Sequence, residues 1–210
     1  MKGIEILEKY WGYTSFRPLQ ANIVADVING HDCLALLPTG GGKSICFQVP
    51  GIAREGMTIV ISPLIALMKN QVDAIRGISD NDGVAHVLNS SLNKTEVSKV
   101  MEDIRTGITK LLYVAPESLI KQEYVDFLKS QKISFVAIDE AHCISDWGHS
   151  FRPSYLYLPK IVRSLKPHSV LALTATATRK TASEIRKLFK IKTAQQFTSS
   201  HLRPNLEFKI

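Results

Sequence analysis

The sequence is poor in several features that would assign it to a specialised class of protein. Only three cysteines occur among its 210 residues, Cys33, Cys46 and Cys143. They are far apart and show neither Cys-x-x-Cys nor histidine-rich ligand spacing, so we predict no disulfide framework and no structural zinc site. This cysteine usage is typical of a reducing, cytoplasmic compartment.

Long apolar segments are also absent. The N-terminal MKGIEILEKYWGY lacks the apolar core of a signal peptide, and no window approaches the roughly 18 uncharged apolar residues of a membrane span. No internal repeat, low-complexity tract or linker rich in proline, glycine and serine divides the chain. We therefore expect a single domain over residues 1–210, with no membrane partner.

Charge is unbalanced without being concentrated in a tail. No block of about five or six like charges marks a disordered basic segment. The formal net charge is nevertheless +7 and the pI about 9.3. This balance favours an acidic partner, with nucleic acid as the first candidate.

Apolar, β-rich runs alternate with helical segments along the chain. The runs are nearly continuous, as in strands that are buried on both faces, and predict an α/β fold with a mainly parallel sheet covered by helices on both faces. Ligands are then expected at the carboxyl ends of the strands. Pro18 suits the first turn of its helix, and Asn93 with Glu96 forms a capping-box pattern. The predicted strands are 33–38, 58–63, 84–88, 110–116, 135–139 and 170–176, with another near QQFTSS, and the predicted helices are 18–29, 43–53, 64–76, 93–106, 117–129 and 179–190.

The stretch LLPTGGGKSICFQ predicts a phosphate-binding loop. Successive glycines let backbone N–H groups turn inward around an anion at a helix N-terminus. Lys43 supplies a charge for the β- and γ-phosphates, and the Ser44 hydroxyl can coordinate Mg²⁺. Leu37 stands where the common pattern has glycine, and the alternative is a glycine-rich turn with no ligand. The predicted loop residues are Thr39, Gly40, Gly41, Gly42, Lys43 and Ser44.

Two carboxylates end the apolar run FVAIDEAH. Asp139 is the predicted metal residue, and Glu140 is predicted to orient and deprotonate an attacking water. Paired acids at a strand end are often only a solvated rim. The phosphate loop upstream favours the catalytic interpretation, because Mg²⁺ and ATP need both halves of the site.

Aromatic and basic residues follow these acids in AHCISDWGHSFRPSY. Trp147, His149, Phe151 and Arg152 are suited to stacking on unpaired bases and contacting phosphate. The alternative is a hydrophobic cluster that attaches the loop to the domain, and we assign Tyr155 to that role.

Together, FRPLQ, PTGGGKS, SPLIALMKNQV, YVAPESL, DEAH and ALTATAT resemble the first RecA-like domain of a superfamily 2 helicase. The resemblance covers about 10–205, and the aromatic stretch narrows it to the RecQ family of DNA helicases. It implies a RecA-like P-loop domain that uses ATP and Mg²⁺ and binds single-stranded and partly duplex DNA. It also implies 3′ to 5′ unwinding, and a second RecA-like domain in a longer chain that RPN would enter. A DEAH-type RNA helicase or remodeller and a non-hydrolysing P-loop module that binds nucleic acid remain alternatives.

The resemblance also implies roles for individual residues. Tyr13 and Arg17 would stack on adenine while the Gln20 amide pairs with its edge, although a packing tyrosine and an exposed helix start are the simpler interpretation. The implied catalytic set is Lys43, Asp139, Glu140 and His142, with His142 linked to the phosphate-sensing hydroxyls of Thr174 and Thr176. Ser62 and Gln71 would contact the single-strand backbone, or else only cap a helix.

Overall fold

Parallel strands form the centre of the structure, a computed structural model that describes residues 3–145 and 152–199. The strand order in the described sheet is β3-β4-β2-β5-β6-β1-β7, and each neighbouring pair is parallel. Every predicted strand is present, including the short one near QQFTSS. The strands are β1 (Cys33–Leu36), β2 (Met57–Ile61), β3 (Ala85–Leu88), β4 (Leu111–Val114), β5 (Ile133–Ile138), β6 (Val170–Thr174) and β7 (Gln196–Thr198).

Helices cover both faces of the sheet, as predicted. Leu34 and Leu36 of β1 pack in one core with α5, α6, α8 and α9, whereas Cys33 and Ala35 pack in the opposite core with α2, α3 and α4. The outermost helix, α1, packs on α2 and α3. The helices are α1 (Gly3–Trp11), α2 (Gln20–Ile28), α3 (Ile45–Ala53), α4 (Ile65–Gly77), α5 (Lys94–Arg105), α6 (Gln122–Lys129), α7 (Pro153–Leu156), α8 (Leu158–Leu165) and α9 (Arg179–Phe189).

Several helix boundaries differ from the prediction. Pro18 lies two residues before α2, because Leu19 adopts a left-handed conformation with φ 67° and the helix begins only at Gln20. The predicted helix 117–129 is a 3-10 turn, Pro116–Ile120, followed by α6. The helices α1, α7 and α8 were not predicted. The capping box at the start of α5 is confirmed, since the Asn93 side chain accepts from Glu96 N and Glu96 accepts from Asn93 N.

Among the described residues, no helix has both the length and the apolar character needed to cross a bilayer.

Candidate nucleotide and nucleic-acid site

Three adjacent strands bring the predicted catalytic segments to one edge of the sheet. The order β5-β6-β1 places the DEAH acids, the TAT segment and the phosphate loop after neighbouring strands. Parallel strands lie about 4.8 Å apart, so these three segments start within about 10 Å of one another. The carboxyl edge of the sheet is therefore the candidate site.

The phosphate loop joins β1 to α3. Gly40 and Gly42 have φ values of +79° and +75°, a region that L side chains rarely adopt. Ser44 precedes the first residue of α3, and its side chain makes no capping hydrogen bond in the helix. The Ser44 hydroxyl is thus available to a ligand, and the half-buried Lys43 lies beside it.

The predicted adenine residues contact this loop directly. The Arg17 guanidinium donates to Gly40 O at 2.6 Å, and the Gln20 amide donates to Gly42 O at 3.0 Å while accepting from Arg17 N at 2.9 Å. A Cβ on Gly42 would lie 2.3 Å from Gln20 Nε2. The donor and acceptor of Gln20 are therefore both engaged within the protein, and pairing with a base would require these bonds to be exchanged.

A cavity of about 380 Å³ lies beside the loop, within the range of small-molecule sites. Tyr13, Arg17 and Gln20 line it, as their predicted role requires, and Tyr13 is 56% exposed there. The lining residues that sequence reasoning missed include Trp11, Gln48 and Asn70, and of these three only Trp11 was indicated by its position, close to Tyr13.

Asp139 lies at the end of β5 with only 6% of its surface exposed. Burial and then the neighbouring charge of Glu140 raise its pKa from 3.8 to about 6, against the lowering effects of Glu140 N, which donates to Asp139 Oδ1, and of Lys43. The charge of Lys43 therefore acts on Asp139, which links the phosphate loop to the acids. The buried Ser62 hydroxyl also lowers this pKa, although it meets no partner at standard hydrogen-bond geometry.

Glu140 and His142 form a polar pair beside Asp139. Glu140 has a left-handed backbone, with φ 48°, which is strained for a residue with a side chain. His142 Nδ1 lies 2.8 Å from Thr174 Oγ1 and 3.3 Å from Glu140 Oε2. Burial lowers the His142 pKa, so the ring is neutral near pH 7, and we assign its proton to Nδ1, where both oxygens can accept it. Thr176 N donates to Thr174 Oγ1, which connects the TAT segment to this pair.

The two residues predicted to grip single strands occupy different environments. Ser62 is 3% exposed, so its hydroxyl does not face solvent. Gln71 lines the cavity beside the phosphate loop together with Tyr13 and Arg17, and its buried Oε1 has no hydrogen-bond partner within the part of the chain that the structure describes. The structure thus places Gln71 on the side of α4 that borders the phosphate loop.

Arg152 is the one residue of the predicted base-stacking set, Trp147, His149, Phe151 and Arg152, that lies within the described part of the chain. Its backbone N–H donates to Cys143 O at 3.0 Å, and its guanidinium donates to Pro63 O at 3.3 Å, the residue after Ser62. Tyr155 is fully buried and donates to Asp139 O at 2.9 Å, in keeping with the packing role assigned to it. The predicted base-stacking residues Trp147, His149 and Phe151 lie outside the described residues.

The residues at this edge fit a magnesium nucleotide. The positive φ values of Gly40 and Gly42 permit the tight backbone turn that an anion-binding loop requires, and a hydroxyl with no helix-capping bond lies on the same loop as Lys43. A buried carboxylate with a raised pKa is stabilised in its charged form by a bound cation. Ser44 and Asp139 would hold Mg²⁺, and Lys43 would contact the phosphates.

Comparison with known proteins identifies the family. The family model described as DEAD/DEAH box helicase matches residues 17–185. The chain belongs to the DEAD/DEAH box helicase family. Solved relatives agree on the fold: the helicase domain of Pyrococcus furiosus Hef superposes over 90% of the chain and 39% of its own length, with a TM-score of 0.67 at 20% identity. The RecA-like fold is thereby confirmed.

Relatives within this helicase family are closer in sequence. The chain is 41% identical over 206 residues to a protein named probable ATP-dependent DNA helicase RecS from Bacillus subtilis, covering 98% of the chain and 41% of RecS. It is 39% identical over 207 residues to ATP-dependent DNA helicase RecQ from Haemophilus influenzae, covering 99% of the chain and 33% of that protein. The chain therefore spans about a third to two fifths of these relatives' lengths, and the resemblance to RecQ is confirmed.

Proposed function

We propose that this helicase-family domain is the ATP-binding half of a DNA helicase motor. It binds Mg–ATP at the phosphate loop and single-stranded DNA along the carboxyl edge, and it couples hydrolysis to 3′ to 5′ unwinding when joined to a second RecA-like domain. The observation that carries the proposal is the strand order β5-β6-β1, because it brings the glycine loop after β1 and the two acids after β5 to the same edge of the sheet. The choice of DNA rests on the names of the relatives that are about 40% identical.

The residues divide the chemistry among them. Bound Mg–ATP supplies the γ-phosphoryl group and the cation that neutralises its developing charge. Lys43 holds the phosphates, and Ser44 and Asp139 hold the cation. Glu140 accepts the proton of the attacking water through its carboxylate, which is 25% exposed and therefore reachable by solvent.

Two contacts link this chemistry to the DNA side. His142 bridges Glu140 to Thr174 through the proton on Nδ1, so a change at the phosphates alters the TAT segment. Arg152 connects the end of the aromatic stretch to Pro63, next to Ser62. We propose that Trp147, His149 and Phe151 stack on unpaired bases and that Arg152 transmits their occupancy toward Glu140.

Equilibrium binding of labelled ATP with Mg²⁺ tests the nucleotide half. We expect Lys43→Ala to weaken ATP binding at least tenfold, since it removes the main positive charge that contacts the phosphates. Lys94→Ala on α5 is the matched control and should leave the affinity unchanged. Equal affinities in the two variants would contradict the proposed site.

ATP turnover in the presence of single-stranded DNA or of RNA with the same sequence tests which nucleic acid the domain acts on. In a longer protein that contains this domain, we expect stimulation by DNA, and a loss of that stimulation when Trp147, Phe151 and Arg152 are replaced by alanine. Undiminished stimulation in the triple variant would overturn the coupling role. Stronger stimulation by RNA would favour the RNA-remodelling alternative.

A further inference from the structure

The net positive charge of the chain arises in residues 156–199, the last quarter that the structure describes. Residues 156–199 contain nine lysines and arginines but only one carboxylate, Glu184, so they account for the whole net charge of +7. Such asymmetry indicates a polyanion-binding surface more strongly than net charge does. The nine residues are Lys160, Arg163, Lys166, Arg179, Lys180, Arg186, Lys187, Lys190 and Lys192.

Six of these residues lie on two helices of one layer, α8 and α9, while Lys166 and Lys190 cap the C-termini of these helices and Lys192 follows. The apolar sides of α8 and α9 pack into the same core, which turns their basic positions toward solvent, and Arg186 alone among the nine is not fully exposed. Because α9 follows β6, it begins near the carboxyl edge and returns across the sheet. We call the exposed surface of α8, α9 and Lys192 the basic face.

The basic face contains a concave site at its far end. Arg163, Lys166, His168 and Lys190 line a cavity of about 250 Å³ where the C-termini of α8 and α9 converge. Its one carboxylate is Asp32, which accepts a hydrogen bond from Val170 N at 2.8 Å and so serves the start of β6. Within residues 3–145 and 152–199, neither Arg163, Lys166 nor Lys190 forms an ion pair.

The chemistry of this face favours duplex over single-stranded DNA. Sites for single strands combine charge with aromatic side chains on which bases stack, whereas duplex contacts are made mainly by cations to phosphates. Beyond Tyr157 the described chain exposes no large apolar or aromatic side chain. The eleven residues of α9 span about 16 Å, a length of roughly five base pairs.

We infer that the basic face binds the phosphate backbone of duplex DNA, with Arg163, Lys166 and Lys190 forming its most concave contact. The inference rests on the proposed helicase function and extends it. A duplex lying along α9 would reach the carboxyl edge where the single strand is proposed to bind. The basic face would then hold the double-stranded arm of a partly duplex substrate close to the point of strand separation.

Salt-dependent binding of a 20-base-pair duplex to the chain without nucleotide tests this inference. We expect the triple variant Arg163→Gln, Lys166→Gln and Lys190→Gln to lose about tenfold or more in affinity at 100 mM salt. The negative slope of log K against log salt should become shallower by about 2 to 3, close to one unit per lost phosphate contact. The matched control removes the same charge elsewhere, with Lys9→Gln, Lys94→Gln and Lys132→Gln, and should change both quantities far less.

Protection of lysines from an amine-reactive reagent locates the contact independently. Bound duplex should shield Lys166 and Lys190 but leave Lys94 reactive, as measured by mass spectrometry. Three results would each overturn the inference. The first is the same salt dependence in the two triple variants, and the second is an equal loss of affinity for single-stranded and duplex DNA. The third is protection of Lys94 as strong as that of Lys166 and Lys190. Since Lys43→Ala should weaken nucleotide binding at least tenfold and leave duplex affinity intact, failure of the ATP site is distinguishable from failure of this surface.

Discussion

At the scale of single residues, the buried carboxyl group of Asp139 lowers the free energy of unfolding when it is ionised. Its pKa is raised to about 6 by burial and by Glu140, so the native state holds its proton more tightly than the unfolded chain does. The free energy of unfolding therefore falls as pH rises from about 4 to 6 and stays lower above that range. We expect Asp139→Asn to stabilise the metal-free chain by up to roughly 3 kcal/mol at pH 8, and by about half as much at pH 5.

Urea unfolding at pH 5 and pH 8 with a chelator measures this difference. The control is Asp126→Asn, whose carboxylate is exposed and has a pKa lowered by hydrogen bonds from Lys129 and Gln122 and by the Lys129 charge. Its replacement should not stabilise the protein at either pH. A gain for Asp139→Asn that is the same at pH 5 and pH 8 would show that ionisation is not the cause.

Gln71 has two candidate roles that sequence reasoning could not distinguish, a contact to single-stranded DNA and a contact to ATP. Its position in SPLIALMKNQV implies a DNA contact, yet the residue lines the cavity beside the phosphate loop, and its buried Oε1 has no hydrogen-bond partner among the described residues. A ligand donor in that cavity, such as a ribose hydroxyl, would satisfy this oxygen once the side chain turns toward the cavity. We expect Gln71→Leu to weaken ATP binding by about three- to tenfold, the value of one hydrogen bond, and to leave single-strand affinity unchanged.

Parallel titrations with labelled ATP and a labelled single strand measure both affinities for Gln71→Leu. Asp73→Asn is the control, because Asp73 lies on another side of α4 and lines a different cavity. A loss confined to the single strand would restore the DNA-contact role.

At the scale of elements, the short helix α7 fixes the position of the catalytic turn. Tyr155 is fully buried, and its hydroxyl donates to Asp139 O across sixteen residues of chain. Tyr155→Phe would leave that carbonyl buried without its partner, at a cost of about 1–3 kcal/mol. The measurement is the free energy of unfolding in urea. Tyr157→Phe is the matched control, since Tyr157 is 59% exposed, and an equal cost in the two variants would contradict this role for α7.

Six of the seven described strands could be predicted because each is short, nearly continuously apolar and bounded by turns, so composition alone marks it. The helix α8 was not predicted, although it buries Leu158, Val162 and Leu165 at helical spacing and has Pro159 in its first turn, where proline is compatible with a helix. Strand order is not encoded locally, so the sequence placed Lys43 and Asp139 in one site only through chemistry and resemblance. The inward position of Gln71 depends on how α4 packs against the sheet, which no local pattern reveals.

At the scale of the whole molecule, charge and chemistry are divided between two regions. The residues that we propose for nucleotide binding come from loops after β1, β5 and β6, while the excess positive charge lies on α8, α9 and the segment that follows. A domain organised in this way can respond to a nucleotide at one edge while it holds a polyanion across one face. We expect ATP turnover by such a domain to depend also on groups that contact the phosphates from the side opposite the phosphate loop.

We therefore expect the 210-residue chain to hydrolyse ATP slowly and not to separate DNA strands on its own. The resemblance implies that a second RecA-like domain supplies an arginine finger, a group worth about 10³–10⁵ in rate. ATP turnover and strand displacement on a partial duplex are the measurements, and Glu140→Gln shows whether any residual turnover comes from this site. If the chain alone displaces strands at a rate that Glu140→Gln abolishes, the site is sufficient by itself and the need for a second domain is refuted.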